Sequence, residues 1–446
     1  MRDGRPVTVE VTADGAGLVS HAGTALLSQV ADKVGLTRVL CSRLAGLKQR
    51  RRGHDPGRVI RDLAVMLADG GECVSDLGAV RDQDALFGKV ASDSTAFRTI
   101  EGIASTPGLL DAIRAAHARA RARFWELHGA PQRLTIDVDA TLITAHSEKE
   151  KAAGNYKHGF GFHPLHAYAD ETREALGAIL RPGNAGSNTA SDHKTVIDLA
   201  LAQIPVEQIE SIEILIRADS AGATHETAEH CYEGNLRFSF GYELTETVRA
   251  AILETPDQDW IAALDQDGSQ RENGQVVELT DRLDLSTWPK GSRLIVRRER
   301  PHPGAQLSFT DHDGYRFQAI LTDQPDPDIA ILERRHRQRA RVEDRIRDDK
   351  DTGLAKFPFK AFALNEVWLE IVMLAHDLLV WTQALVLDGE LSKAEPKRLR
   401  YRLLHVGARL AFSGRRGKLH LPAAWPWTEA LKTAFEKLKT LPAATG

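Results

Sequence analysis

At 446 residues the chain is too long for one ordinary core, so it divides into two or more domains or one domain with a large insertion. Its 42% hydrophobic and 27% charged residues suit a soluble globular protein with no membrane-spanning run, and the opening "MRDGRPVTVEVTADG" lacks the apolar region of a signal peptide, so the cytoplasm is the expected location. A formal net charge of −4 excludes a uniformly basic DNA coat, and three scattered cysteines with no CxxC pair support neither a disulfide framework nor a cysteine zinc site.

Residues 1–129 read as mostly helical after a short N-terminal strand. In "DPGRVIRDLAVMLADGG" Asp55 caps, Pro56 takes the first helical position, Val59, Leu63, Met66 and Leu67 share a face, and Gly70 and Gly71 stop the helix. "TPGLLDAIRAAHARARARFWELHG" repeats this grammar from Thr106 to Gly129. Capped helices with "SDSTAFRTI" between them suit a helix-turn-helix-like DNA reader, although a plain bundle is the simpler reading.

From Arg133 the period becomes two. "RLTIDVDATLI" sets Leu134, Ile136 and Val138 against Thr135, Asp137 and Asp139, so both carboxylates lie on one face of a strand. Strands "HPLHAYAD" and "EALGAIL" follow, joined by "ADETRE". Then come a Gly/Asn/Ser-rich loop, the helix "TASDHKTVIDLALAQI", the apolar strand "IEILIRADSAG" with Asp219 at its end, another helix, and "LRFSFGYEL". Three strands, helix, strand, helix, strand is the order of an α/β RNase H-like core.

The last core helix of that fold is delayed. Residues 243–327 hold strands such as "RLIVRRERP" and a hairpin "QLSFTDHDGYRFQAILTDQ" turning at Asp313 and Gly314, a mainly β insertion. The expected organisation is thus a helical N-terminal DNA-binding region (1–129), the core's first part (130–242), the insertion (243–327), the core's second part (328–388) and a basic C-terminal region (389–446). Positive charge gathers in Arg38–His54, Arg335–Lys360 and Lys397–Lys418, and such clusters suit a polyanion.

After Asp328, a capping residue, "RHRQRARVEDRIRDDK" reads as one α-helix on which His336, Arg339, Glu343 and Lys350 fall within an arc of roughly 60°. With Asp139 and Asp219, Glu343 makes a carboxylate set suited to Mg²⁺ or Mn²⁺, and Arg339 and Lys350 would hold phosphates around it. Asp137 competes with Asp139, which is favoured. Asp219 has the alternative role of a helix cap, and Glu343 that of a surface partner for Arg339 or Arg347. His158, His163 and His166, without a cysteine nearby, read as turn or phosphate contacts rather than a zinc site.

On these residues the chain resembles the DDE-type transposases of bacterial insertion sequences, in the branch called DDE domain group 1, of the insertion-sequence 1380 type. "DVDAT" is similar to the first-aspartate motif at Asp139, and "IRADSAG" to the second at Asp219. Arg339, Glu343 and Lys350 match the spacing of a Tyr-x2-Arg-x3-Glu-x6-Lys signature, with His336 at the tyrosine position. The resemblance implies catalytic and metal-binding roles for Asp139, Asp219 and Glu343, and DNA contacts for His336, Arg339 and Lys350. It also implies Mg²⁺-dependent cutting at terminal inverted repeats, strand transfer into target DNA, and a homodimer or higher homo-oligomer in a synaptic complex. Trp260 and Trp288 are candidates for holding a flipped base, with a structural role the simpler reading of each. Two other readings stand beside the transposase: an RNase H-like nuclease that only hydrolyses, and a catalytically silent DNA-binding repressor.

Overall fold

The computed structural model describes residues 9–48, 50–209, 211–301, 304, 311–414 and 416–443. Helix α1 (Pro56–Ala68) starts as its sequence dictates, with the Asp55 carboxylate accepting the Gly57 amide at 3.0 Å, and the chain leaves it through Gly70 at φ 107°. "SDSTAFRTI" is no linker but the first part of a second helix, α2 (Asp93–Ser105). Helix α3 (Leu109–His128) begins later than expected, because Gly108 at φ 82° takes the N-cap position assigned to Thr106. The first described strand, Leu18–Val19, pairs with Ala408 and Arg409 near the other end of the chain.

Nine strands form one mixed sheet: β1 (Arg133–Ala140), β2 (Leu165–Ala169), β3 (Ala175–Ile179), β4 (Glu213–Ala218), β5 (Arg237–Tyr242), β6 (Ile261–Leu264), β7 (Gln270–Glu278), β8 (Arg293–Glu299) and β9 (Arg316–Thr322). Their order across the sheet is β6-β7-β8-β9-β5-β4-β1-β2-β3, with β1, β4 and β5 mutually parallel and the other pairings antiparallel. Residues 261–322 therefore add four strands to the free edge of β5. The Asp313–Gly314 turn has both residues at positive φ, 50° and 75°, and its second arm is β9; the first arm, Gln306 to Thr310, lies outside the described residues.

Helix α4 (Ala190–Leu201) packs on the apolar face of β1 to β3, so close that a Cβ at Gly177 would sit 3.2 Å from that of Leu199. The opposite face is covered by a helical run that is not the single α-helix its sequence suggests. It comprises α5 (Ile329–Arg337), a 3₁₀ turn at Gln338–Ala340, α6 (Arg341–Asp349) and a π turn at Lys350–Leu354. Asp328 caps α5 as expected, accepting the Ala330 amide at 2.9 Å. A 3₁₀ turn advances about 120° per residue in place of 100°, so three such residues rotate α6 by roughly 60° relative to a straight helix. This separates the face of His336 from that of Glu343.

Helix α7 (Phe362–Val386) corrects the expectation that no segment approaches a membrane-spanning run: with mean hydropathy 1.5 it is long and apolar enough by length and composition. It is instead the central core helix, with Trp368 and Trp381 fully buried. Helices α1, α2 and α3 pack on it from the N-terminal side and α8 (Thr428–Thr440) from the C-terminal side, so one hydrophobic core runs across residues 19–438. Buried Arg121 on α3 ties this arrangement to the sheet edge through Glu174 at 3.1 Å and to α7 through Asp377 at 2.6 Å. A smaller apolar cluster joins the insertion, through Ala263, Val276 and Ile295, to Ala330 and Leu332 of α5.

Candidate active site: acids from two strands and a covering helix

Register places a polar row on the covered face of the sheet. Asp137 pairs with Tyr168 on β2 and with Arg217 on β4, Asp139 pairs with His166, and Arg217 pairs with Ser239 on β5. Directly paired residues point to the same face, so these side chains lie together beneath α5 and α6. Arg217 is fully buried and grips Asp137 with two parallel bonds of 2.7 Å, while its Nη2 also lies 3.0 Å from Asp170. Asp137 is thus occupied, and Asp139 is the member of the pair that reaches the strand's open end.

Asp139 stays largely enclosed, its side chain 17% exposed. Burial pushes its carboxyl up to about 6; the Arg339 guanidinium opposes this, and Asp219 and Glu343 reinforce it. Asp219, the residue after β4, and Glu343, on α6, thus both lie near enough to Asp139 on β1 to act on its charge. Asp219 accepts the Ala221 amide at 3.0 Å; it does not cap the following helix, whose N-cap is Thr224. Glu343 is exposed, and its helix surface carries no ion pair to Arg339 or Arg347, which pair with Asp139 and Asp344 respectively.

Arg339 Nη1 lies 3.5 Å from Asp139 Oδ2 and, although buried, has no hydrogen-bond partner. His336 hydrogen-bonds through Nδ1 to the Ser239 hydroxyl at 2.9 Å, and burial together with Arg339 and Arg217 pushes it down to about 3, so it is neutral. Lys350 is half-buried where α6 gives way to the π turn; burial and the neighbouring Lys157 lower its pKa. The structure therefore brings Arg339 to the acids, turns His336 toward β5 and sets Lys350 beside a second cation.

The three acids are more widely spaced than a closed ligand shell. Among the described residues, the set whose donor atoms all lie within 4.8 Å of one another is His21, Asp69 and His405 instead. The three histidines weighed for zinc are dispersed in role: His158 sits in a left-handed turn at φ 61°, His163 contacts the Ala185 carbonyl at 3.2 Å, and His166 is fully buried against Tyr168 with neither ring nitrogen hydrogen-bonded. The tryptophan faces are likewise taken, Trp260 by Arg298 at 4.3 Å and Trp288 by His225 at 4.0 Å.

Several residues that build the site escape sequence reasoning. Arg217 carries a signal, a lone charge in an apolar strand, which requires a buried acid; its partner lies 80 positions away. Tyr168 and His376 both bond Asp349 beneath α6, where burial is outweighed by the carboxylate and His376 is held up at about 9. Not every basic stretch faces outward either, since Arg400 is buried and donates to the carbonyls of Ala68 at 2.9 Å and Asp351 at 2.6 Å.

Fold and site together define an α/β protein with an acidic centre at the carboxyl ends of adjacent parallel strands. The chain belongs to the Transposase DDE domain group 1 family, whose match spans residues 2–443. No curated protein matches it. Among solved structures it is similar to the cryo-EM structure of the piggyBac transposase synaptic complex with hairpin DNA, at 10% identity, covering 86% of this chain and 80% of that one with a TM-score of 0.45.

Proposed function

We propose that this transposase-family protein cuts and joins DNA at an RNase H-like core made of β1 to β5, α4 and α6, with Asp139, Asp219 and Glu343 as catalytic and metal-binding acids. The observation that carries the reading is that largely enclosed Asp139, at the end of β1, lies 3.5 Å from Arg339 and feels the charges of both Asp219 and Glu343. The sheet order β3-β2-β1-β4-β5, with β1, β4 and β5 parallel, supports the core assignment.

The donor set fits a hard divalent cation, Mg²⁺ or Mn²⁺: it is all oxygen, and Asp139 is a carboxyl whose charged form a cation would favour. Held by Asp139, Asp219 and Glu343, such a cation would supply Lewis-acid activation of a water or 3′-hydroxyl and charge stabilisation at the leaving oxygen. The chain's own part is positioning. Arg217 clamps β4 to β1, which fixes the strand ends carrying Asp219 and Asp139, and α6 carries Glu343 on its exposed side. Arg339, whose buried Nη1 pairs with Asp139 at 3.5 Å but makes no hydrogen bond, would turn its fork to a phosphate oxygen, and Lys350 with Lys157 adds point charge alongside. His336 keeps Nε2 for a neutral contact with DNA while Nδ1 engages Ser239.

The partners in this reading are double-stranded DNA, as terminal inverted repeats and as target, and further copies of the chain in a synaptic complex, in the cytoplasm. Regions 1–129 and 389–446 would contribute DNA contacts and assembly from within the shared core, and 243–327 would extend the sheet that carries the site.

Incubating the protein with Mg²⁺ and a labelled duplex bearing its own element's ends is expected to give end-specific nicks and joined products. Asp219→Asn and Glu343→Gln should each lower both by at least about 10³-fold with duplex binding retained. Nicks without joining would replace the transposase by a nuclease; binding without cutting in Mg²⁺ or Mn²⁺ would replace it by a silent DNA-binding repressor.

A further inference from the structure

We propose that His21, Asp69 and His405 form a zinc site, separate from the acidic centre, that staples the two ends of the chain together. Asp69 follows α1 as its C-cap, His21 precedes the first described helical turn, and His405 follows a π turn at Arg400–Leu404. Their donor atoms all lie within 4.8 Å of one another.

Three features make this more than a hydrogen-bonded cluster. The carboxylate is held in place from behind: Asp69 is 4% exposed in its side chain, and Oδ1 accepts the Thr24 hydroxyl at 2.5 Å, the outer-shell support that orients metal ligands. His21 sits at φ 54°, a left-handed turn that aims its ring at Asp69, 2.5 Å from Oδ2. The two imidazole rings stand 4.3 Å apart over a single carboxylate. Two imidazoles converging on one carboxylate offer a divalent ion three ligands from three separate segments of the chain.

The donor set is two imidazoles and one carboxylate, which suits Zn²⁺ with a fourth position for water. In a tetrahedral zinc site donor atoms lie roughly 3.3 Å apart. His405 Nε2 lies 3.2 Å from Asp69 Oδ1 and 2.9 Å from the Asp69 carbonyl oxygen, and His21 Nδ1 lies 2.5 Å from Oδ2, so the carboxylate turns one oxygen to each ring and a bound ion would take the place of these contacts after small side-chain rotations. Access is open: His405 is 39% exposed in its side chain and lines a cavity of about 550 Å³ together with Arg400, Tyr401 and Trp425.

The test uses the full chain carrying Asp139→Asn and Glu343→Gln, so that the acidic centre contributes no metal binding. After dialysis against Zn²⁺ and then metal-free buffer, about one zinc per chain is expected, with a Tm several degrees above the stripped protein. Co²⁺ in its place should give the visible bands of a tetrahedral nitrogen and oxygen site. His21→Gln and His405→Gln should each weaken zinc binding at least tenfold and erase the cobalt bands, while His405→Cys, which restores a zinc ligand, should keep both. No retained zinc, or zinc retained equally in the glutamine variants, overturns the proposal and leaves the cluster a hydrogen-bonded clamp. Because the acids are already replaced, neither result bears on DNA cutting.

Discussion

Arg217→Met is expected to destabilise the protein by about 3–5 kcal/mol, among the largest effects of any single substitution in the chain. Arg217 is fully buried, and it serves Asp137 with two 2.7 Å bonds, Asp170 at 3.0 Å and the carbonyl of Arg335 at the end of α5. Methionine fills the volume but leaves Asp137, 2% exposed, as a buried charge without a counterion. Adding Asp137→Leu should return much of the loss, since the orphaned charge rather than the missing bond sets the penalty, and Asp170 still has Arg341 at 3.2 Å. Urea melts of the two single variants and the double variant measure the coupling. A loss below about 1 kcal/mol for Arg217→Met, or simple additivity, would show that the clamp does not hold β1 to β4.

Asp139→Asn is expected to do the opposite to stability while abolishing DNA cutting. The Asp139 carboxyl is raised from 3.8 to about 6 in the folded protein, so its neutral form is the one the fold favours. Ionisation then costs nothing below pH 3.8, costs progressively more as pH rises from there to about 6, and costs its full amount above. Asparagine removes that charge, so at pH 7.5 without metal the variant should be the more stable by about 1–3 kcal/mol. The advantage should shrink as pH falls through the same window. Saturating Mg²⁺ should reverse the order, stabilising the wild type and leaving the variant unchanged. Thermal melts at two pH values with and without Mg²⁺ read all of this; equal stability at pH 7.5 would mean that Asp139 bears no electrostatic strain.

The strands that carry the acids are legible because they obey short periods. Asp137 and Asp139 share a face through simple alternation, Asp219 ends an apolar run, and the element order follows from turn residues and caps such as Asp55 and Asp328. Choosing between Asp137 and Asp139 needs the third dimension, because only the pairing of β1 with β4 shows that Arg217 consumes the former. The charged helix reads as continuous because nothing in "RHRQRARVEDRIRDDK" breaks an α-helix; the 3₁₀ turn at Gln338–Ala340 comes where Arg339 meets Asp139, a tertiary contact that no local pattern encodes. Gly108 displaced Thr106 as a cap for a similar reason, since two competing signals lie two residues apart. The crowding of arginines from 335 to 341 has a simple resolution: Arg337 pairs with Glu333 at 3.1 Å, Arg339 with Asp139 and Arg341 with Asp170, so much of that charge is answered by acids within the fold.

The most direct test of the central claim, that Asp139, Asp219 and Glu343 bind divalent metal together, is Fe²⁺-dependent cleavage of the protein's own backbone in the presence of ascorbate and peroxide. Bound iron cuts the chain next to its ligands, so fragments ending near residues 139, 219 and 343 are expected, all three suppressed by excess Mg²⁺ and all three lost in Glu343→Gln. Cleavage near residues 21, 69 and 405 would belong to the second cluster and should resist Mg²⁺. Absence of cuts at the three acids, or cuts there that Mg²⁺ does not suppress, would contradict the account.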